Sequence, residues 1–368
     1  MPQLLDGHRL VVEQQFVARK RAAPGSILLT MTIDTVANVI DAGAVAPSSH
    51  RSMRPAVALG GAPMTSSTAR DHAAPSQPDR QEVADRLLRS SEILSYDPVR
   101  EVDWETPLDT AYHGASPEWS TLFGTAYWDE MTPEQQRELT RQEAASVAST
   151  GIWFEMILQQ MVLRDFYAKD PTDPAFQWAL TEIADECRHS IMFARGAKKL
   201  RAPAYRPRRL VVELGRVFKT VASGEAAYAA ILVAEEVLDV MQRDWMRDER
   251  VVPFVRTVNN IHVVEESRHM KFAREETKAR LEGAGWLRRQ INAVVVAGAS
   301  YFIVTSMVSR EVYENAGLEP ERAVREAKRN EHHKSMLRSS CSGLMEFLGS
   351  AGLLTRASLW FYKRANLI

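Results

Sequence analysis

The stretch Ile261-His262-Val263-Val264-Glu265-Glu266-Ser267-Arg268-His269 constrains the fold more than any other part of the chain. His262, Glu266 and His269 stand at i, i+4 and i+7, and a helix turning about 100° per residue sets all three on one face within about two turns. Imidazole and carboxylate groups aligned in this way make a metal-binding face, so the spacing predicts a helix and a ligand set together. Upstream, Asp185-Glu186-Cys187-Arg188-His189 repeats the Glu and His at i, i+3. A single Glu-x-x-His is usually an ordinary piece of helix. Two copies, each with Arg before the His and an acid before the Glu, call for a common explanation.

One explanation is a bundle in which two metal ions are held by a Glu-x-x-His from each of two helices and a carboxylate from each of two others. The first missing carboxylate is Glu155, embedded in Gly151-Ile-Trp-Phe-Glu-Met-Ile-Leu158. A buried carboxylate without a cation is costly, so a Glu in such a run has a partner or faces solvent beside Gln159. The second lies in Ala229-Ala-Ile-Leu-Val-Ala-Glu235-Glu236-Val-Leu-Asp239. Adjacent helix positions diverge by about 100°, so only one of Glu235 and Glu236 points inward, and periodicity does not choose between them. Asp185 and Glu265 are placed to hydrogen-bond the ligand imidazoles and hold their orientation, a role also open to Asp239. Arg188 and Arg268 are expected to pair with carboxylates rather than approach metal.

The rest of the chain reads as helix. Thr132-Pro133-Glu134-Gln135 is a capped start, with a helix expected from Pro133 to about Lys169 and a break near Gly151. Further helices are expected from Pro174 to about Leu200, from about Arg208 to Val221, from Gly224 to about Asp248, and from Pro253 to about Gly283. An apolar helix from Trp286 to about Asn315 follows, with short helices after Gly317 and Asn330. No stretch alternates at period two, so the expected fold is all-α, a ferritin-like helical bundle with additional C-terminal helices. From Asp41 to Arg80, Ala, Gly, Ser and Pro supply 23 of 40 residues, too little apolar surface to offset the entropy of ordering. Residues 1–80 are therefore expected to be a disordered extension, and 81–368 a single helical domain. Met31 and Met64 are alternative starts, and the basic, briefly apolar stretch through Leu29 resembles a signal peptide only faintly.

Composition narrows the function. With 368 residues, 45% hydrophobic, 25% charged and a formal net charge of −1, nothing draws the chain to nucleic acid or to an anionic membrane. The apolar run Ile291 to Val308 is interrupted by Asn292, Gly298, Ser300, Thr305 and Ser306 and is expected to be buried in protein rather than in a bilayer. Two cysteines, Cys187 and Cys341, are too few for a disulfide framework and fit a reducing cytoplasm. Cys187 should point away from the metals, and His332 and His333 should lie on the surface.

The set Glu155, Glu186-Cys-Arg-His189, Glu235 and His262-Val-Val-Glu-Glu266-Ser-Arg-His269 resembles the AurF-like di-iron N-oxygenases, typified by p-aminobenzoate N-oxygenase, over roughly Pro117 to Ala279. The resemblance implies two iron ions bridged by Glu186 and Glu266, with Glu155 and His189 completing one and Glu235, His262 and His269 the other. It also favours Glu235 over Glu236. Two Fe(II) ions about 3.5 Å apart can bind O2 as co-substrate and deliver a peroxo oxygen to an amine, leaving no catalytic residue beyond the metal ligands. No Gly-x-Gly-x-x-Gly marks a nicotinamide or flavin module, so electrons are expected from an external reductase or other donor.

Substrate identity is less constrained. A carboxylate-bearing aromatic amine would need a cation near the iron, and Ser149 to Phe154 offers none, which argues against p-aminobenzoate itself. Trp153, Phe154, Met156 and Met192 are candidate walls of an apolar pocket, with core packing the competing account. Two other functions fit the same site: C–H oxidation by a hydroxylase or acyl desaturase, and non-catalytic iron binding by a ferritin-like protein. The partners expected are a small organic substrate, the electron donor, and a second copy of the chain in a homodimer.

Overall fold

Local signals in the sequence start the long helices. The computed structural model describes residues 80–368, which fall within one compact unit, Ala73–Ile368. Helix α1 spans Arg80–Ile93, α2 Pro133–Phe166, α3 Pro174–Lys199, α4 Arg209–Val221, α5 Gly224–Arg247, α6 Pro253–Glu282 and α7 Trp286–Val304. Thr132 and Gln135 form a reciprocal capping box at the start of α2, Asp173 accepts from the Ala175 amide at the start of α3, and proline opens α2, α3 and α6. The remaining chain forms α8 (Glu311–Asn315), α9 (Pro320–Arg329), α10 (Glu331–Ser340), α11 (Ser342–Ser350) and α12 (Arg356–Arg364). Among the described residues there is no strand, only an isolated bridge between His113 and Val251. The protein is an all-α bundle. Apart from Arg80, the expected disordered extension lies outside the described residues, as do Met31 and Met64.

Two helix pairs make the core. Helix α2 packs on α3 and α5 on α6, each pair joined by a short connection and so antiparallel; α3 meets α6 and α2 meets α5 to close the bundle. Helix α1 lies across α3 and α6, α4 covers α2, and α7 is held between α5 and α12. Trp178, Tyr228, Leu232 and Ile261 fill the interior and are essentially inaccessible.

Two expectations about helix ends are corrected. Helix α2 runs unbroken through Gly151, which is buried against the Phe193 ring of α3, where packing offsets the weak helix propensity of glycine. Helix α7 stops at Val304 rather than near Asn315, because α2 captures the following backbone. The Thr150 hydroxyl donates to the Ser306 carbonyl at 3.0 Å and the Ser146 hydroxyl to that of Met307 at 3.0 Å, while the Ser309 amide donates back to Ser146 at 3.0 Å. These bonds fasten residues 306–309 to α2 along a non-helical path. No helix among the described residues is long and apolar enough to cross a membrane.

Candidate metal centre

Each core helix sends one carboxyl group to the middle of the bundle: Glu155 from α2, Glu186 from α3, Glu235 from α5 and Glu266 from α6, none more than 6% exposed. His189 stands one turn beyond Glu186, and His262 and His269 flank Glu266 on α6; all three are buried. Glu235 faces inward, while Glu236 is half-buried and pairs with Arg274.

Glu186 and Glu266 are the central pair. His189 Nδ1 lies 3.5 Å from Glu186 Oε2 and 3.1 Å from Glu266 Oε1, and His269 Nδ1 lies 3.0 Å from Glu186 Oε1 and 3.1 Å from Glu266 Oε2. Each of the two carboxylates therefore reaches both imidazoles. His262 Nε2 is 3.5 Å from Glu266 Oε1 and 3.9 Å from Glu155 Oε1. Three groupings, Glu155-His189-His262, Glu186-His189-Glu266 and Glu235-His262-Glu266, bring donor atoms within 4.8 Å of one another, close enough to share a metal ion. His262 belongs to two of them. Its ring centroid is 4.8 Å from that of His189, so this imidazole stands between the two halves of the cluster rather than wholly on the Glu235 side.

The outer nitrogens fix how the rings present themselves. His189 Nε2 donates to Glu265 Oε2 at 2.7 Å, His269 Nε2 to Asp185 Oδ2 at 3.3 Å, and His262 Nδ1 to Gln242 Oε1 at 2.9 Å. In each ring the other nitrogen is thereby aimed at the carboxyl cluster, the arrangement that orients imidazole for metal binding. The acids cross over: the acid beside each Glu-x-x-His motif serves the histidine of the other motif. Arg188 pairs with Asp185, and Arg268 lies 3.9 Å from both Asp185 and Glu265.

Electrostatics show how strongly the groups of the cluster act on one another. Burial, then the neighbouring Glu186, push the Glu155 carboxyl well above the usual carboxylate range. Burial, then Glu266, do the same to Glu235. Glu266 is held well below that range, since burial is outweighed by His269 and His262. Burial lowers His262 to about 4, so it is neutral at pH 7. His189 and His269 are driven upward despite burial, His189 by the nearby carboxylates of Glu186, Glu265 and Glu266, and His269 by those of Glu266 and Asp185. Both oxygens of Glu186 and Nδ1 of His189 are buried with no hydrogen bond, although potential partners stand near. Lone pairs that converge without aligning on one another suit cations placed between them, and four carboxyl groups with three imidazoles match the O and N donors that iron(II) accepts.

Several expectations change in the structure. Asp239 meets no imidazole; it pairs with Arg243 at 2.8 Å, and the place expected for it falls to Gln242. A residue seven positions after Glu235 shares its face, and this was the signal for Gln242. Glu182, one turn before Glu186, is also buried, and burial raises its carboxyl to about 8. Trp153 and Phe154 do line a large cavity. Met156 instead turns outward, half exposed, because it is one position from Glu155 on the helix. Met192 is buried away from that cavity, beside Trp104 and Arg195. His332 and His333 are half-buried rather than fully on the surface. His332 Nε2 bonds the Glu118 carbonyl at 3.0 Å, and burial lowers His333 to about 4. Cys187 is exposed and faces Gln159.

The sequence pattern of the family described as P-aminobenzoate N-oxygenase AurF matches residues 77–352, most of the chain and all of the cluster. Among individual proteins, the uncharacterized protein Mb0909 of Mycobacterium bovis is 27% identical over 203 residues, 53% of this chain and 59% of its own length. The uncharacterized protein Rv0885 of Mycobacterium tuberculosis matches to the same extent, 27% over 203 residues. The chain thus spans about 59% of the length of these curated relatives.

Proposed function

We propose, for a chain that belongs to the p-aminobenzoate N-oxygenase AurF family, that it is a di-iron, O2-dependent oxygenase that oxidises the amine group of a small organic substrate. The observation that carries this reading is the convergence of four buried carboxyl groups and three imidazoles, each imidazole held from behind by an oxygen acceptor.

The residues that would hold the metals are Glu155, Glu186, His189, Glu235, His262, Glu266 and His269. Glu186 and Glu266 would bridge, since each reaches both His189 and His269. Two iron ions bound there would supply the reduction of O2 and the transfer of one of its oxygen atoms. In the balanced reaction, one oxygen atom goes to the amine nitrogen and the other leaves as water, with two electrons and two protons from an external donor. The chain's own part is to hold geometry and exclude water. Asp185, Glu265 and Gln242 keep the imidazole lone pairs inward, and His262 adds a neutral donor without adding charge. Ser190 donates to Glu155 Oε2 and steadies that carboxylate from the side.

C–H oxidation is the second reading, favoured by the uncharged, predominantly apolar lining of the cavity on α2 and α5. Product analysis with paired amine and hydrocarbon substrates separates the two. The first measurement is iron per chain, with the optical spectrum after O2 is added to the anaerobic Fe(II)-loaded protein, for wild type and for His262→Ala. Close to two irons per chain, by the donor count, and an O2-dependent absorption altered in His262→Ala are expected. Less than about one iron in wild type, or no response to O2, would remove the oxygenase reading.

A further inference from the structure

A cavity of about 320 Å³ lies between α2, α4, α5 and α7, within the range of about 300–1,000 Å³ typical of small-molecule sites. Among its lining residues none carries a charge, and Trp153 carries the only side-chain N–H or O–H. Its inner wall belongs to the helices that supply Glu155 and Glu235. Phe154 and Leu158 stand at −1 and +3 from Glu155, and Ile231 and Ala234 at −4 and −1 from Glu235. Side chains three or four positions apart share a helix face, so Leu158 and Ile231 border both the cavity and the carboxyl cluster. At the other end Leu214, Val217 and Val221 of α4 line the cavity while 39–59% exposed. Residues that are both lining and exposed form a mouth, here beside α7.

The charges of the adjoining cavity are already engaged. A neighbouring polar cavity shares Met161 and Ile231 with the apolar one and contains Arg164 and Asp165. The Arg164 guanidinium donates to the carbonyls of Lys219, Thr220 and Ala222. Asp165 accepts from Arg280 at 2.6 Å and from the Tyr228 hydroxyl at 3.0 Å. Arg164, the cation of that cavity, is therefore not left to bind an anionic group, and an unpaired carboxylate against this lining would lose its hydration without compensation.

Resting on the oxygenase reading, we propose that this cavity is the substrate chamber, and that the substrate is a molecule with an uncharged, apolar body and no carboxylate, entering between α4 and α7 with its reacting atom toward Glu155 and Glu235. Gly298 of α7 supplies a direct test. It lines the cavity, and a Cβ placed on it would meet nothing within 4 Å, so a larger side chain there fills the chamber without displacing neighbours.

The experiment is isothermal titration calorimetry of the anaerobic, iron-loaded chain with two amines that differ at one end, 4-butylaniline and 4-aminobenzoate, repeated on Gly298→Leu. The neutral amine should bind at least about tenfold more tightly than the acid, and Gly298→Leu should weaken its binding at least about tenfold with iron per chain unchanged. Equal or tighter binding of 4-aminobenzoate overturns the proposal, as does a Gly298→Leu chain that binds 4-butylaniline like wild type. If the variant does not fold, the two ligands on wild type decide alone. Less than one iron per chain, with 4-butylaniline binding still blocked by Gly298→Leu, would sink the oxygenase reading and keep the chamber. Two irons and an O2 response without preference for the neutral amine would do the reverse.

Discussion

The carboxylate-imidazole cluster and the apolar cavity share two helices, α2 and α5, yet they obey opposite rules. Within the cluster seven titratable groups crowd into a buried volume, stabilised by one another, by the acceptors behind the imidazoles and by the Ser190 hydroxyl on Glu155. Across Leu158 and Ile231 the next volume has no titratable group in its lining. A buried charge is tolerable only where a partner is fixed in place, whereas an apolar wall needs no partner. One turn of helix is enough to separate the two, because residues on different faces of α2 look in different directions.

The largest effect that tests this contrast is metal removal. An ion bound only by the folded chain, at about a thousand times its dissociation constant, adds about 4 kcal/mol of stability, or roughly 10 °C in a domain of this size. Calorimetric melting of iron-loaded protein should therefore fall by about that much on chelation, as the four carboxyl groups lose the positive charge between them. A melting temperature that ignores chelator would mean that the cluster is satisfied by protons alone.

A smaller effect separates the acids that touch imidazole from the one that does not. Glu265→Gln removes a charged acceptor from His189 and should lower iron affinity about 10–100-fold. Asp239→Asn, whose partner is Arg243, should leave it unchanged, and equal losses in the two variants would deny the crossed arrangement its role.

The smallest effect sharpens the contrast from the cavity side, using two glycines that line it. Gly298→Ala should stabilise the chain by about 0.5–1 kcal/mol, the gain of alanine over glycine inside a helix with open space beside it. At Gly215 a Cβ would stand 2.5 Å from Trp153 Cζ2, so Gly215→Ala should destabilise by about 1–3 kcal/mol through overpacking. Denaturant titration of both variants gives the signs, and a shared sign would mean that the cavity is not shaped as described.

Much of this arrangement was legible in the order of residues. The spacing of His262, Glu266 and His269, and the shorter repeat at Glu186 and His189, announce two inward faces, and Pro and Thr or Asp at helix starts mark where α2 and α3 begin. Less legible were features that depend on a second helix. Periodicity could not choose Glu235 over Glu236, because both follow the same apolar run; Arg274 of α6, 38 positions away, pairs with Glu236. The end of α7 was misread for the same reason, since hydroxyls of α2 take up its following carbonyls. Met156 and Met192 looked like pocket walls from composition alone, but the packing of α2 turns one outward and buries the other elsewhere.

From its own residues, then, the chain determines an all-α bundle and the side chains aligned on each helix face, because helical periodicity and capping act over a few positions. Only the tertiary structure decides which acid serves which imidazole, that Gln242 rather than Asp239 stands behind His262, and that an uncharged cavity forms on α2 and α5, the helices of Glu155 and Glu235. Those depend on the rotation and separation of helices far apart in sequence, set by packing of the whole core, with Gly215 letting α4 close on α2.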